Sequence, residues 1–153
     1  MMPQDRIQVR VLGPLDVVVD GAARRVSARR QRMLLSALVA WQHTPVPLDT
    51  LMSLLWPDKP PASAFLTVRS LVSRLRRELG DAGAGLLWVD GGYLLDAQVA
   101  EVDADRFVGL VERAVQQLAV GVPSSASALL REALDLWRGP ALVDIADATA
   151  VQP

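Results

Sequence analysis

The sequence predicts an α+β fold: a small N-terminal antiparallel sheet, three helices and a C-terminal hairpin, followed by a short all-α helical-repeat segment. Three observations support this prediction. Apolar and polar residues alternate in the opening RIQVRV (6–11), which is typical of a half-buried strand. Apolar residues then recur at helical spacing in three successive segments between residues 27 and 79. Two glycines at 91–92 separate the apolar runs LLWVD and YLLD, which indicates a hairpin turn.

The N-terminal sheet is predicted to contain three short strands. A Gly-Pro pair at 13–14 ends the first strand, and LDVVVD (15–20) has the composition of a second. Asp20-Gly21 is a strong signal for a tight turn between strands, and ARRVS (23–27) follows it as a short third strand.

Two helices are predicted next. Ser27 is expected to cap the first, because its hydroxyl can accept a hydrogen bond from a free backbone N–H, and this helix runs to about Trp41. LDTLMSLLW (48–56) predicts a shorter second helix. The proline at 57 ends it, because proline disfavours helical geometry in the preceding residue. Trp41 and Trp56, at the ends of these helices, are expected to pack against the core.

The third helix, at about 62–79, is predicted to separate a core stripe from an arginine-rich face. An α-helix advances about 100° per residue, so its apolar residues fall within about 120° of one another. Gly80 supplies the C-terminal stop. The core stripe contains Phe65, Val68, Leu71, Val72, Leu75 and Leu79, and the opposite side carries Arg69, Ser70, Ser73, Arg74, Arg76 and Arg77.

Two further helices are predicted after the hairpin. The segment 101–119 has an apolar stripe at helical spacing, and Asp103 or Asp105 is expected to cap it. The segment 126–139 forms the second of these helices and ends at a Gly-Pro pair. Trp137, near its end, is expected to pack in the core.

The composition excludes several classes of protein. The chain has no cysteine, so disulfides and thiolate metal sites are excluded, and its single histidine, His43, is expected in an exposed loop. No stretch approaches the roughly 18 uninterrupted apolar residues of a membrane span. The N-terminus lacks the apolar core of a signal peptide, so a cytoplasmic protein without membrane contact is expected. No phosphate-binding glycine loop or nucleophile–base set is visible. We therefore expect no enzyme, no catalytic residues, no cofactor and no metal.

The net charge of −1 conceals an asymmetry along the chain. Residues 1–96 contain 12 arginines and lysines against 9 acidic residues, whereas residues 97–153 contain 4 against 8. A basic first part and an acidic second part suggest two units.

The order of the elements points to a role for the arginine-rich face. A short helix, a turn, a longer basic helix and a hairpin follow the order of a winged helix-turn-helix, whose second helix enters the DNA major groove. Arginine donates paired hydrogen bonds to guanine or binds phosphate, and short serines let the helix backbone approach. The face taken alone is more simply a solvated helix surface. Its position in this order favours recognition of double-stranded DNA.

Several segments resemble a known family of regulators. ARRQRMLLSALV, LDTLMSLLWPDKPPASA, TVRSLVSRLRRELG and GGYLLD resemble the OmpR-type winged-helix domain, in the form found in the Streptomyces antibiotic regulatory protein family. VDADRFVGLVERA and ALLREALDLWRGPALVDI resemble the start of the bacterial transcriptional activation domain that follows it in those regulators. The resemblance covers about residues 6–145. It implies a DNA-binding domain at 1–98 and a partial helical activation domain at 99–153.

The family implies a transcriptional activator. Such a protein binds direct repeats of double-stranded DNA side by side, contacts RNA polymerase and commonly switches on secondary-metabolite genes. A homodimer on DNA is an open alternative.

The resemblance also assigns roles to residues. The third helix becomes the recognition helix, and the loop at 56–61 faces the polymerase. The resemblance implies that bases are read by Ser70, Arg74 and Arg76. It implies contacts to phosphates or neighbouring bases by Thr67, Arg69, Ser73 and Arg77. It also implies contacts to the duplex backbone by Arg30 and Arg32, and a wing contact by Tyr93.

The sequence departs from the family pattern in two places. The wing tip is VDGGY, and Asp90 repels phosphate, so we expect wing contacts to be weak or limited to backbone N–H groups and Tyr93. Trp88, on the same hairpin, is predicted either inside the fold or on the wing surface. The activation domain contains only about two helices, whereas helical arrays need about three repeats to bury their faces. Either the domain is truncated or its exposed stripe packs against another copy.

A second function remains open. We expect no receiver domain, and therefore no aspartyl phosphorylation switch. The acidic wing and the short second unit leave open a protein-interaction module or competitor with weak DNA binding.

Overall fold

The computed structural model describes residues 6–41, 44–96, 98 and 100–146. His43, predicted in an exposed loop, and the final residues lie outside this part of the chain. The elements are β1 (Ile7–Arg10), β2 (Asp16–Val19), β3 (Ala22–Arg24), α1 (Arg29–Ala40), β4 (Val46–Pro47), α2 (Leu48–Leu55), α3 (Ala64–Glu78), a 3₁₀ helix (Gly80–Gly85), β5 (Leu86–Val89), β6 (Gly92–Leu95), β7 (Ala100–Val102), α4 (Asp103–Ala119) and α5 (Pro123–Asp135).

The N-terminal sheet is confirmed and contains a fourth strand that the sequence did not reveal. Its strands lie in the order β3-β2-β1-β7, and β1 pairs antiparallel with β2 but parallel with β7. The parallel pair sets Ile7 beside Ala100 and Val9 beside Val102. Three residues are too few to show an alternation, and the predicted helix at 101–119 therefore takes in two of the three residues of β7. The helix itself begins at Asp103.

The middle of the chain forms a winged helix-turn-helix, as predicted. The helices α1, α2 and α3 pack on one another, and a second sheet in the order β4-β6-β5 closes the unit. Its hairpin pairs Leu86 with Leu95, and the two-residue strand β4 pairs Val46 with Tyr93. The wing is therefore joined to the connection between α1 and α2, which β4 occupies.

Two predicted helix caps are wrong. Ala28, not Ser27, is the residue before α1, and no side chain caps this helix. No side chain caps α4 either. Instead, the Asp103 carboxylate accepts hydrogen bonds from the backbone N–H groups of Val11 and Leu12, at 2.8 and 3.1 Å. The hydrogen bonds of Asp103 therefore stabilise the connection between β1 and β2, while its charge, in the first turn of α4, also favours the helix dipole.

The last helix is shifted toward the N-terminus relative to its prediction at 126–139. It begins at Pro123, where a proline is tolerated because the first N–H groups of a helix need no intrahelical partner. It ends at Asp135, four residues before the predicted boundary.

The core stripe of α3 is confirmed with one exception. Val68, Leu71, Val72, Leu75 and Leu79 are buried in the main hydrophobic cluster, whereas Phe65 is 45% exposed. The four tryptophans differ in environment. Trp41 and Trp56 pack against the core as predicted, Trp88 lies on the wing surface, and Trp137 is 41% exposed with its ring edge-on to Phe107, so its predicted core position is wrong.

The second unit is a helical hairpin of α4 and α5 that returns to the first sheet. Residues 138–145, here called the return segment, run along the connection between β1 and β2. Their backbone N–H groups donate from Arg138 to the Leu12 carbonyl and from Leu142 to the Val11 carbonyl, both at 2.7 Å. Ile145 is 2% exposed and belongs to the main hydrophobic cluster. The second unit therefore contributes a side chain to the core of the first.

Gly13 permits the close approach of the return segment. Its φ of 142° is accessible almost only to glycine, and a Cβ at this position would lie 3.0 Å from the Arg138 Cβ. Both facts require glycine where the two units meet.

Gly13→Ala is expected to destabilise the protein by about 2–4 kcal/mol, because backbone strain and crowding against Arg138 act together. Urea unfolding measures this cost. The matched control is Gly21→Ala, where φ is also positive at 79° but no atom lies within 4 Å of the added Cβ. The control should lose only about 1–2 kcal/mol. Equal losses at both positions would show that the return segment does not press on Gly13.

Candidate nucleic-acid interface

The outward face of α3 is the first component of the candidate interface. Because the aliphatic stripe is buried, the residues on the other side of the helix are left exposed. Leu66, Ser70, Ser73 and Arg77 are all exposed, and their spacing of four, three and four residues aligns them in one strip. Arg69 and Arg74 are also exposed and lie on either side of this strip.

The arginines of this face differ in their freedom to bind a ligand. Arg74 and Arg77 make no hydrogen bond or ion pair within the described part of the chain. The Arg69 guanidinium carbon lies 5.9 Å from the centre of the Phe65 ring, which is a weak cation–π contact. These three side chains therefore present charged donors outward from the helix.

Arg76 is directed to the wing rather than outward. Its Nε and one terminal nitrogen donate to the Leu86 carbonyl oxygen, at 3.1 and 2.7 Å. Gly83 also packs against the Arg76 backbone so closely that a Cβ would overlap it. Arg76 was predicted to read bases, but the structure gives it an internal role: it holds the start of β5 beside α3.

Arg32 is also engaged inside the protein. Its Nε donates to Asp144 at 2.9 Å, and its terminal nitrogens donate to the carbonyl oxygens of Val26 and Leu15, at 2.9 and 2.8 Å. Asp144, in the return segment, also accepts the Leu15 N–H at 2.7 Å. The predicted contact of Arg32 with the duplex backbone is therefore replaced by a junction between α1, the first sheet and the second unit.

Two other predicted residues have their polar group or ring engaged within the protein, although Thr67 also lines the cleft described below. The Thr67 hydroxyl donates to the Ser63 carbonyl oxygen at 3.0 Å, within the first turn of α3. Tyr93 is only 6% exposed, and its ring meets the Trp88 ring edge-on, with centroids 4.8 Å apart. The exposed aromatic residue of the wing is therefore Trp88, not Tyr93.

A cleft of about 930 Å³ adjoins α3 on the side of Arg74. The start of α1, the loop after α2, the middle of α3 and the return segment form its walls. Arg30 lies over the Trp56 ring, with the guanidinium carbon 5.1 Å from the ring centre. The charged residues that line the cleft are Arg29, Arg30, Lys59 and Arg74, against Asp58 and Asp144.

The sequence does not predict that three residues belong to this surface: Arg29, Lys59 and Leu66. Leu66 breaks the apolar periodicity of α3, and this irregularity was the one available signal. Arg29 and Lys59 come next to α3 only through the packing of α1 and of the loop after α2, which no sequence spacing shows.

The wing tip is short and anchored. Asp90 and Gly91 have φ values of 50° and 76°, the left-handed conformations of a type I′ hairpin turn. The Gly91 carbonyl accepts a hydrogen bond from the Leu48 N–H at 3.3 Å, so the tip is tied to the start of α2. Asp90 is exposed at this tip, which makes the wing acidic.

The described ranges lack both a metal-binding cluster and a membrane-spanning helix. Residues 6–41, 44–96, 98 and 100–146 contain no group of three His, Cys, Asp or Glu side chains that could hold a metal ion. Within the same ranges, no helix has both the length and the apolar character needed to cross a membrane.

Comparisons with known proteins agree on one class of molecule. The family model described as bacterial transcriptional activator domain matches residues 102–153. Regulatory protein DnrI of Streptomyces peucetius is 37% identical over 148 residues, which cover 91% of this chain and 54% of that protein. Transcriptional regulator RedD of Streptomyces coelicolor is 32% identical over 144 residues, which cover 90% of this chain and 41% of that protein.

A solved structure supports the same fold. The structure of Mycobacterium tuberculosis EmbR in complex with a low affinity phosphopeptide superposes with a TM-score of 0.84 and 35% sequence identity. The match covers 96% of this chain and 42% of that one. The chain thus spans about half the length, or less, of the relatives it matches.

Arg76→Met is expected to lower the free energy of unfolding by about 1–3 kcal/mol, because the Leu86 carbonyl oxygen loses both of its arginine donors. Arg77→Met is the matched control, since Arg77 is exposed on the same helix, and it should stay within about 0.5 kcal/mol of the parent. Urea denaturation measures both. Equal stability of the two variants would contradict the role given to Arg76.

The Arg32–Asp144 pair makes stability depend on pH in one direction. Burial by itself raises the pKa of the Asp144 carboxyl, but hydrogen bonds from Arg32 and Leu15, with the charge of Arg32, lower this pKa below its ordinary value. A lowered folded-state pKa stabilises the fold above the unfolded-state value of about 4, and this contribution is lost as the pH falls through the folded-state pKa.

Asp144→Asn should therefore lose less stability on acidification than the parent. Urea unfolding between about pH 5 and about pH 3 gives the free energy of unfolding of both proteins at each pH. The other carboxyl groups titrate alike in both, so their contribution cancels when one free energy is subtracted from the other. Parallel stability curves would rule out the contribution of Asp144.

Proposed function

The chain belongs to the Streptomyces antibiotic regulatory protein family of transcriptional regulators, and we propose that it binds double-stranded DNA through α3. The observation that carries this proposal is the exposed strip of α3, flanked by arginines whose donors no described residue takes up. Its position after the short α2 and before the hairpin matches the recognition helix of a winged helix-turn-helix.

The proposal assigns base contacts to the strip and its flanks. Ser70 and Arg74 read base edges, and Arg74 suits guanine because it can donate two parallel hydrogen bonds. Leu66, which is 63% exposed, offers an apolar contact to a thymine methyl group. Ser73 and Arg77 contact neighbouring bases or phosphates.

Phosphate contacts come from two sides of the helix. Arg69 lies on one side, and the cations of the adjoining cleft, Arg29, Arg30 and Lys59, lie on the other. Such contacts fix the position of the protein on the duplex without reading its sequence. The proposed interface leaves out Arg32, Arg76 and Tyr93, whose polar groups or ring face the protein. It also leaves out Thr67, which lines the cleft but whose hydroxyl is bonded to the Ser63 carbonyl oxygen.

The wing contributes little to recognition under this proposal. The Asp90 carboxylate at the tip repels phosphate, and the Gly91 carbonyl is bound to Leu48. Backbone groups of the turn and the exposed ring of Trp88 are the contacts that remain. Specificity therefore rests mainly on α3.

The wider role follows from the family. We propose an activator that binds direct repeats near a promoter, side by side or as a homodimer. In this role it contacts RNA polymerase through the loop at 56–61 and controls secondary-metabolite genes in the bacterial cytoplasm. The proposed division is a DNA-binding domain at 1–98 and a partial activation domain at 99–153.

A second candidate function is a protein-interaction module or competitor that binds DNA weakly. The acidic wing tip and a set of exposed apolar side chains on the second unit favour it. Val115, Leu118 and Leu134 are 60%, 54% and 66% exposed. Large apolar side chains left exposed in this way are candidates for contact with another protein.

Fluorescence anisotropy with labelled DNA from upstream of the gene, at several salt concentrations, tests the first candidate. Binding should weaken steeply with salt, because arginine–phosphate contacts release counterions. Arg74→Ala should cost about 1–3 kcal/mol of binding and reduce the preference for that DNA over random DNA. Arg113→Ala is the control, since Arg113 is exposed on α4, away from the proposed interface, and it should bind as the parent does.

Two results would count against the first candidate. Equal binding by the Arg74 variant and the parent on both DNAs would remove α3 as the reading element. The absence of any binding at low salt, together with a stable dimer on size-exclusion chromatography, would favour the second candidate.

A further inference from the structure

A carboxylate from the second unit lies in the cleft proposed to face DNA. Asp144 belongs to the return segment, and it lines the cleft with Arg29, Arg30 and Arg74. An unpaired negative charge at this place would oppose phosphate, since the nearby cations are the groups that attract it. Compensation of this charge therefore strengthens the attraction of the cleft, whose four cations already outnumber its two carboxylates, for a nucleic acid.

Arg32 supplies the compensation. It is not among the residues that line the cleft, and its Nε donates to Asp144 at 2.9 Å. The two side chains are 25% and 18% exposed, so the pair is shielded from solvent on most sides. The Leu15 N–H donates to the other Asp144 oxygen at 2.7 Å. Each carboxylate oxygen thus has a donor from the first unit.

Asp144 cannot leave this place without a large change in the fold. Its neighbour Ile145 is buried in the main hydrophobic cluster, and the Leu142 N–H is bonded to the Val11 carbonyl. The carboxylate is therefore held in the cleft wall whether or not Arg32 is charged. Besides its hydrogen bonds to the Val26 and Leu15 carbonyls, Arg32 decides whether the carboxylate is neutralised.

We propose that Arg32 is a positioning residue for DNA binding: it neutralises Asp144, so that the cleft attracts phosphate, without touching the duplex itself. This inference rests on the proposed function of α3 and the cleft. It also makes the second unit part of the DNA-binding surface, since the charge that Arg32 cancels comes from the return segment.

The test is a double-mutant cycle of Arg32 and Asp144, carried out on the full chain. Arg32→Gln leaves the Asp144 charge uncompensated and should weaken binding to the upstream DNA by about two- to fivefold at low salt. Adding Asp144→Asn to that variant should restore binding to the parent level. Arg32→Lys, which keeps the charge but not the planar donor geometry, should bind as the parent does. Thermal unfolding confirms that each variant is folded at the temperature of the measurement.

The salt dependence separates this role from a direct contact. The slope of the logarithm of the binding constant against the logarithm of salt concentration should be the same for the parent and Arg32→Gln. A direct phosphate contact would reduce the slope by about 0.9 in the variant, and the double variant would stay weak. Either of these results overturns the inference, because Arg32 would then touch DNA.

Two further outcomes are distinguishable. If the parent binds with steep salt dependence and Arg32→Gln binds equally well, the pair serves the fold alone and the inference fails, while the proposed function stands. If the parent does not bind DNA at low salt, both the proposed function and the inference that rests on it fail.

Discussion

The arrangement of the two units depends on one guanidinium group, that of Arg32, which connects them. Arg32 donates to Asp144 in the return segment and to two backbone carbonyls, so that α1, the strand connections around it and the second unit meet at a single side chain. Arginine suits this place because its planar group offers several donors in fixed directions, which here reach three acceptors at once. Ile145, next to Asp144, adds an apolar anchor in the core. The helix-turn-helix is thus mounted on a scaffold built from both units.

The arginines illustrate how position decides the role of chemically identical side chains. Arg76 and Arg77 are neighbours in sequence, yet Arg76 turns to the Leu86 carbonyl and Arg77 has no partner among the described residues. Because successive residues on a helix point about 100° apart, one of them meets the wing and the other meets solvent. The exposed strip of α3 is bounded in this way by the wing on one side and by the cationic cleft on the other.

Much of the fold was predictable because it rests on periodicity. The buried stripe of α3, the hairpin and the order of helices all follow from the spacing of apolar residues. Periodicity fails where an element is very short, as in β7, or where a polar side chain has two available partners. Asp103 could cap its own helix, but the N–H groups of Val11 and Leu12 lie within reach only after the chain has folded. The same limit applies to Arg32, whose partner Asp144 is 112 residues away in sequence.

The position of the return segment also has a consequence for synthesis on the ribosome. The hydrogen bond from Leu15 to Asp144 spans 129 residues, and β1 has an unpaired edge until Ala100–Val102 is available. At about 5–20 residues per second, the roughly 50 residues between the end of the hairpin and Ile145 take roughly 2–10 seconds to translate. Throughout that interval the nascent winged helix lacks the part of its core that Ile145 fills. The edge of β1 is also open at first, until Val102 is made seven residues after the end of β6, and an open strand edge invites pairing with other chains. The element proposed to read DNA is therefore complete in sequence well before its scaffold can close.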